Sequence, residues 1–335
     1  MTRRSLTIRL AALILVCCSP AAWAQERVTL AYPGPYNISY LPLDLIGKIG
    51  ADATEGVQFV PRHTGGGGAA LRQLQTRNVD FAVAGVPAAM SAKASGNDVV
   101  VIAAIDDLAV FVLTVRSDLK NRVKRPRDLA GKVVGVTSSS MTVKTISHQL
   151  AELLLKSDGL SPNQVRIIAA GQSWEEQSAA IRSKSADAIL GFEPFASRLR
   201  DAGLVYFLFN LGDPADAARV PGAGLLQAAL HTRSDVLAGS PQKAAKMVAV
   251  IRRTLQWIAA HSPEEIVEVL EIADAEARTS LLKSLRQYPR LYSKDGKLSD
   301  HQMRETSIFY AATEGVAKPV DLDGIVDARW AGRKP

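Results

Sequence analysis

The stretch "VQFVPRHTGGGGAALRQLQTRNVDFAVAGV", residues 57–86, decides the fold. "VQFVP" (57–61) is a short apolar run of strand type, "GAALRQLQTRN" has helical periodicity, and "VDFAVAGV" (79–86) is a second buried strand. Strands alternating with helices at this spacing predict a parallel α/β sheet covered on both faces. Four consecutive glycines sit at the strand-to-helix turn, where backbone freedom costs folding entropy. Gly65, Gly67 and Ala70 satisfy G-x-G-x-x-A, the dinucleotide fingerprint. Two features count against that reading: "PRHT" lengthens the turn, and no acidic residue ends the following strand, since Asp80 begins it. The remaining readings are a flexible loop, or a loop whose bare amides touch a ligand at the positive end of a helix.

Working outward, the same grammar continues. "RVTLAY" (27–32) is a strand before the helix-like "YLPLDLIGKIGA", "PAAMSAKASG" opens a helix with proline, and "DVVVIAAI" (98–105) is a further buried strand. The pattern restarts at "AVFVLTVR" (109–116) and runs through "KVVGV", a helix from about Met141 to Lys156, "VRIIAA", a helix over 174–184, "ADAILGF", a helix over 194–202 and "LVYFLF". Two α/β domains of one plan are expected, followed by a strand at 225–231 and a mostly helical tail from 241. The tail implies return to the first domain, hence two crossings, near 110–116 and 208–224. "SWEE" (173–176) and "SPEE" (262–265) fit the capping box, and "SPQK" at 240 is another Ser-Pro helix start.

The first residues stand apart from this plan. Arg3, Arg4 and Arg9 precede the apolar "LAALILVCC" and small residues at Ala22 and Ala24, the pattern of a secretory signal peptide over 1–24 cleaved after Ala24. The apolar run is shorter than the roughly 20 residues that span a bilayer. Both cysteines, Cys17 and Cys18, fall in this leader, so the exported chain has neither a disulfide framework nor a thiolate nucleophile. The formal charge of +7 falls to +4 without the three leader arginines, and no basic block interleaves with aromatics, which argues against nucleic acid. Five histidines lack metal-ligand spacing and there is no G-x-S-x-G elbow, so no catalytic residues, metal or cofactor are expected.

Candidate binding residues lie at the carboxyl ends of strands, where parallel α/β sheets bind ligands. They are Tyr36, Ser39 and Tyr40 in "YPGPYNISYLP"; Thr64, Gly65, Gly66 and Gly67 in the glycine turn; Gly85, Val86 and Pro87; Ser138, Ser139, Ser140 and Met141 in "GVTSSSMTVK"; and Glu193 in "GFEPF". One serine suffices as a helix cap, so three hydroxyls with free amides suggest a neutral anion cradle. Glu193 either caps its helix or faces the cleft. His63 reads as a surface-loop residue beside the glycines, and Trp174 as packing at its helix start.

"LRQLQTRNVDFAVAGVPAAM", "DLAGKVVGVTSSS", "SADAILGFEPFAS" and "DLDGIVDARW" together resemble the periplasmic solute-binding proteins of nitrate/sulfonate/taurine ABC importers, related to thiamine-precursor binding proteins. Asn78 replaces a usual glycine before "VDFA", which concerns a turn. The resemblance implies a two-lobed periplasmic binding protein fold of type II, with two hinge crossings and a helical C-terminal part. Lobe 1 would comprise 25–112 plus 220–335 and lobe 2 113–219. It also implies a monomer that captures a small-molecule solute in the periplasm and delivers it to an ABC permease and its ATPase. A small organic anion (sulfonate, nitrate or carboxylate) suits neutral donors; a heteroaromatic such as a pyrimidine, a ligand sensor, or an exported enzyme on the same scaffold are the alternatives.

Overall fold

The computed structural model describes residues 25–35, 37–141, 144–315, 321–322 and 324–335. The leader expected over 1–24, and Tyr36, lie outside the described residues. Ten strands form two five-stranded sheets. In the first, β1 (Glu26–Tyr32), β2 (Val57–His63), β3 (Phe81–Ala84), β4 (Val100–Ala104) and β10 (Ala229–Thr232) take the order β2-β1-β3-β10-β4. In the second, β5 (Phe111–Arg116), β6 (Val133–Val136), β7 (Arg166–Ala169), β8 (Ala188–Phe192) and β9 (Val205–Asn210) take the order β7-β6-β8-β5-β9.

The expectation of all-parallel sheets needs correction. β1 pairs in parallel with β2 and β3, and β6 with β7 and β8. β10, however, runs antiparallel to β3 and β4, and β5 antiparallel to β8 and β9. These two are the strands reached by crossing from the other lobe. They arrive without a covering helix in the receiving sheet, so nothing imposes the parallel sense that a strand–helix–strand unit requires.

Each lobe has its own core. Val28, Leu30, Phe81, Val83 and Leu230 pack beneath Met247, Ile251 and Leu255 of helix Pro241–Ala260 in the first. Leu113, Val134, Leu150, Leu190 and Phe209 form the second. Helix Asp300–Glu314 serves both: Phe309 is buried in the second core, while Tyr310 packs with Val86, Met90 and Leu226 of the first lobe. Removing a buried phenylalanine ring costs about 3–5 kcal/mol, so Phe309 is a substantial tie.

The crossings run side by side. Ile105 N–H donates to the Ala228 carbonyl (2.9 Å), and Ala228 N–H donates to Asp106 Oδ1 (3.0 Å). The Gln302 amide donates to the Asp106 carbonyl (3.1 Å) and Val110 N–H to Gln227 Oε1 (3.3 Å). Charged contacts also link the lobes: Arg198 reaches Asp274 at 2.6 Å and Glu276 at 3.2 Å, and Lys283 reaches Asp201 at 2.8 Å.

Both capping boxes form, with Ser173 accepting from Glu176 N–H and Ser262 from Glu265 N–H. Ser240 begins its helix without a side-chain cap bond, with Pro241 setting the first turn. The helix expected from Met141 starts instead at Ile146, where Thr145 accepts from His148 N–H (3.3 Å). "TSSS" is therefore a loop between strand and helix, and threonine performs the capping assigned to the serines.

Candidate ligand-binding site

Three helices begin around one hollow between the lobes. Gly67 and Gly68 open helix Gly67–Gln75, Gly85 precedes helix Val86–Ala94, and Thr145, Ile146 and Ser147 begin helix Ile146–Ser157; all these residues but Val86 line it. The first N–H groups of a helix have no acceptor within it, and its aligned peptide dipoles place about half a positive charge there. Among the described residues that line the hollow there is no Asp, Glu, Lys, Arg or His. The polar side chains are Tyr40, Thr137, Gln172 and Gln227 beside Thr145 and Ser147; the apolar wall is Phe111 and Phe192 with Ile146. This is a positive potential built from backbone alone.

The lobes meet closely. A β-carbon built on Gly65, whose φ is +70°, would lie 2.4 Å from Ser139 Oγ, and Ser139 N–H donates to the Gly65 carbonyl (3.0 Å). Glycine is needed there for both the left-handed backbone and the approach. The Ile38 N–H donates across the cleft to the Glu193 carbonyl (3.3 Å). The enclosed space is about 20 Å³, room for about one water. An organic solute enters only if the lobes part.

Of the residues expected from sequence, Tyr40, Gly67 and Gly85 line the hollow. Ser39 is buried behind it and accepts from the Gln227 amide (2.6 Å). Gly66 is buried beside Gln172 and Ser138, while the Gly65 N–H is already given to the Pro33 carbonyl (2.8 Å), so that amide is not bare. Thr64 turns its hydroxyl to the Tyr32 and Gly66 carbonyls. Val86 and Pro87 are buried outside the lining, with Val86 N–H directed to the Leu226 carbonyl. Ser138 donates to the Ser140 carbonyl (2.6 Å), and Ser139, Ser140 and Met141 are exposed. Their displacement follows from the later helix start.

Glu193 is fully buried and turned to its own helix: its carboxylate accepts from Ser197 N–H (3.0 Å) and Ser197 Oγ (2.9 Å). Burial raises its pKa against those bonds. Its oxygens satisfy a donor in the first turn of helix Phe195–Asp201, whose N-cap residue is Pro194. His63 is exposed but bonded to the Tyr32 hydroxyl (2.8 Å), and Trp174 packs near its helix start under Arg198, 4.3 Å away.

Phe111, Thr145, Ser147, Gln172 and Gln227 were not singled out from sequence. Thr145 had a signal, since a threonine ahead of "ISHQL" is an N-cap pattern. Gln227 had none; it binds Ser39 and Val110, joining both crossings to the cleft floor. Nearby Asp106 is fully buried, its second oxygen has no partner among the described residues, and burial raises its pKa well above the usual range. Burial likewise raises the Tyr40 pKa, with Asp106 adding to it.

A larger hollow, about 470 Å³, lies between helix Pro241–Ala260 and Arg329–Trp330. Its arginines are already engaged: Arg252 with the Asp295 and Ala331 carbonyls, Arg253 with Glu55 and Arg329 with Asp327. Among the described residues no group of three or more His, Cys, Asp or Glu side chains is placed to hold a metal, and no helix is long and apolar enough to cross a membrane.

Several solved structures share this architecture. A protein from Bordetella bronchiseptica RB50 superposes with a TM-score of 0.82 at 21% identity, over 92% of this chain and 96% of that one. The alkanesulfonate-binding protein SsuA from Xanthomonas axonopodis pv. citri, bound to MOPS, gives 0.70 at 16% identity over 92% and 99%. A conserved Candida albicans gene product with the generic periplasmic binding protein structural fold gives 0.70 at 14% identity over 92% and 98%. The two-lobed α/β fold is thus that of periplasmic binding proteins. No curated protein matches the chain. The family model described as NMT1/THI5 like matches residues 54–266, more than half of it.

Proposed function

The chain belongs to the NMT1/THI5-like family, and from that premise we propose that it is the extracytoplasmic solute-binding component of an ABC importer. It captures a small organic anion between two lobes, divided near residues 112 and 220, and delivers it to a permease driven by an ATPase. In this reading the leader is removed after Ala24, and the periplasmic monomer, starting at Gln25, acts without cofactor or catalysis. The observation that carries the reading is the convergence of three helix N-termini on a hollow that, among the described residues, is lined by no charged side chain. A cation there would meet three positive dipole ends, whereas an anion meets donors from both lobes. The contacts proposed are the helix-opening amides other than that of Val86, with Tyr40 and Gln172, and with the Thr137 and Ser147 hydroxyls once they turn from the Leu190 and Thr137 carbonyls; Tyr36 remains a candidate from sequence.

The test is a thermal-shift and small-angle scattering screen on the chain from Gln25. Carboxylates, sulfonates and nitrate are compared with uncharged amides and with amines. A ligand at one hundred times its Kd stabilises the folded state by about 2.7 kcal/mol. The expected result is a raised Tm and a smaller radius of gyration with an anion. Responses confined to amines or neutral compounds would overturn the anion reading.

A further inference from the structure

We propose that the captured anion carries an aromatic ring directly attached to its acidic group, as in an aryl carboxylate or aryl sulfonate; this rests on the anion reading above. The hollow has two unlike walls. One consists of helix N-termini with the Thr137 and Ser147 hydroxyls; the other is Phe111 and Phe192, whose ring centroids lie 4.5 Å apart at an interplanar angle of 40°. The two rings are held by the backbone, because Phe111 and Phe192 are register partners in the antiparallel β5–β8 pair. Phe111 is fully buried and Phe192 nearly so, so this wall is a fixed part of the second sheet and its core.

An inorganic anion or a short alkyl acid fails to use that wall, and must shed its hydration against apolar rings that return no hydrogen bond. A ring attached to the acidic group covers the phenylalanines with complementary aromatic edges and faces while its charge reaches the helix ends. Zwitterions are disfavoured. An ammonium group is best paired by a carboxylate; among the described residues no acidic side chain lines the hollow, the Gln227 side-chain carbonyl already accepts from Val110 N–H, and the nearby Glu193 carboxylate is already bonded to Ser197. Ile146 sets the size limit. Its Cδ1 lies 2.0 Å from where a β-carbon on Gly85 would stand, so its side chain occupies the space between the lobes that a ring must take on reclosure.

The test measures binding by calorimetry to the chain from Gln25, with benzoate and benzenesulfonate against acetate, methanesulfonate, nitrate, taurine and neutral benzamide. Aryl anions are expected to bind about tenfold or more tightly than their alkyl counterparts. Phe192→Leu, which keeps apolar volume but removes the ring, is expected to cut that ratio by about threefold to tenfold. Ile146→Ala is expected to shift preference from benzoate toward 2-naphthoate, and this second variant decides the matter should Phe192→Leu fail to fold. Equal or tighter binding of methanesulfonate, nitrate or taurine overturns the ring while leaving the anion reading intact. An aryl preference unchanged in both folded variants also overturns it. Benzamide binding as tightly as benzoate, or no response to any anion, removes the anion reading itself.

Discussion

Gly85 and Ile146 stand on opposite sides of the cleft and touch: a β-carbon on Gly85 would lie 2.0 Å from Ile146 Cδ1 and 3.1 Å from the Gln227 carbonyl. The Ile146 clash lies across the cleft and involves Cγ1 (2.9 Å) as well as the side-chain end, whereas the Gln227 clash lies within the first lobe and asks the backbone to give by only a few tenths of an ångström. Gly85→Ala is therefore expected to leave each lobe folded and to hold the lobes apart. Small-angle scattering should show a larger radius of gyration with ligand than the parent protein gives, and affinity should fall. Ile146→Ala in the same chain should restore part of the closure. Unaltered closure in the single variant would show that the contact is not limiting.

The charged contacts at Arg198 predict salt-sensitive closure. Asp274 also caps helix Ala275–Gln287, and asparagine caps nearly as well as aspartate. Asp274→Asn with Glu276→Gln thus removes charge while keeping the helix. Because both acids face solvent, the expected increase in the open population is modest, roughly twofold to fivefold. The parent protein should open similarly in 1 M salt, where the screening length is about 3 Å, and the variant should respond less, through the Lys283–Asp201 contact that it keeps. Interlobe distances by double electron–electron resonance provide the measurement; identical distributions in all four conditions would contradict the role.

His231, on β10 and fully buried, has its pKa lowered from 6.5 to about 4 by desolvation. Between those values the unfolded chain binds a proton that the folded one refuses, so stability falls as pH drops from about 6.5 to about 4. The shift corresponds to about 3 kcal/mol. Urea unfolding of His231→Leu at pH 7.5 and 4.5 should lose less stability over that interval than the parent does, whatever the packing cost of the substitution. Parallel losses would refute the assignment.

Asp106 predicts the opposite slope. Its folded pKa is raised well above its ordinary value of 3.8 by burial, with Asp107 adding to the rise. The folded state keeps a proton that the unfolded chain releases, so its contribution declines as pH rises from about 4 through the folded pKa. Asparagine mimics the protonated acid. Asp106→Asn should therefore stabilise the protein more at pH 8 than at pH 5, measured by the same unfolding midpoints. A variant equally destabilised at both pH values would mean that the carboxyl is ionised in the fold.

Much of the architecture was legible because it is local. The βαβ stretch over 57–86, the restart at 109–116 and the capping boxes at Ser173 and Ser262 rest on nearest-neighbour chemistry, and each has its counterpart in the fold. What escaped depends on contacts between distant residues. Phe111 and Phe192 become a wall only through antiparallel register, and Gln227 matters because two crossings run side by side. "TSSS" misled because the loop between Val136 and Ile146 carries several hydroxyls of similar capping strength, and only the turn of the chain selects Thr145. Glu193 offered two roles from sequence, and the bond to Ser197 places it at its own helix.

Neighbouring residues Phe309 and Tyr310 point about 100° apart on their helix, each sunk into a different half of the molecule. Translation of one half past the other would tear one of these rings from its bed. Rotation about that helix keeps both seated, like the covers of a book about its spine.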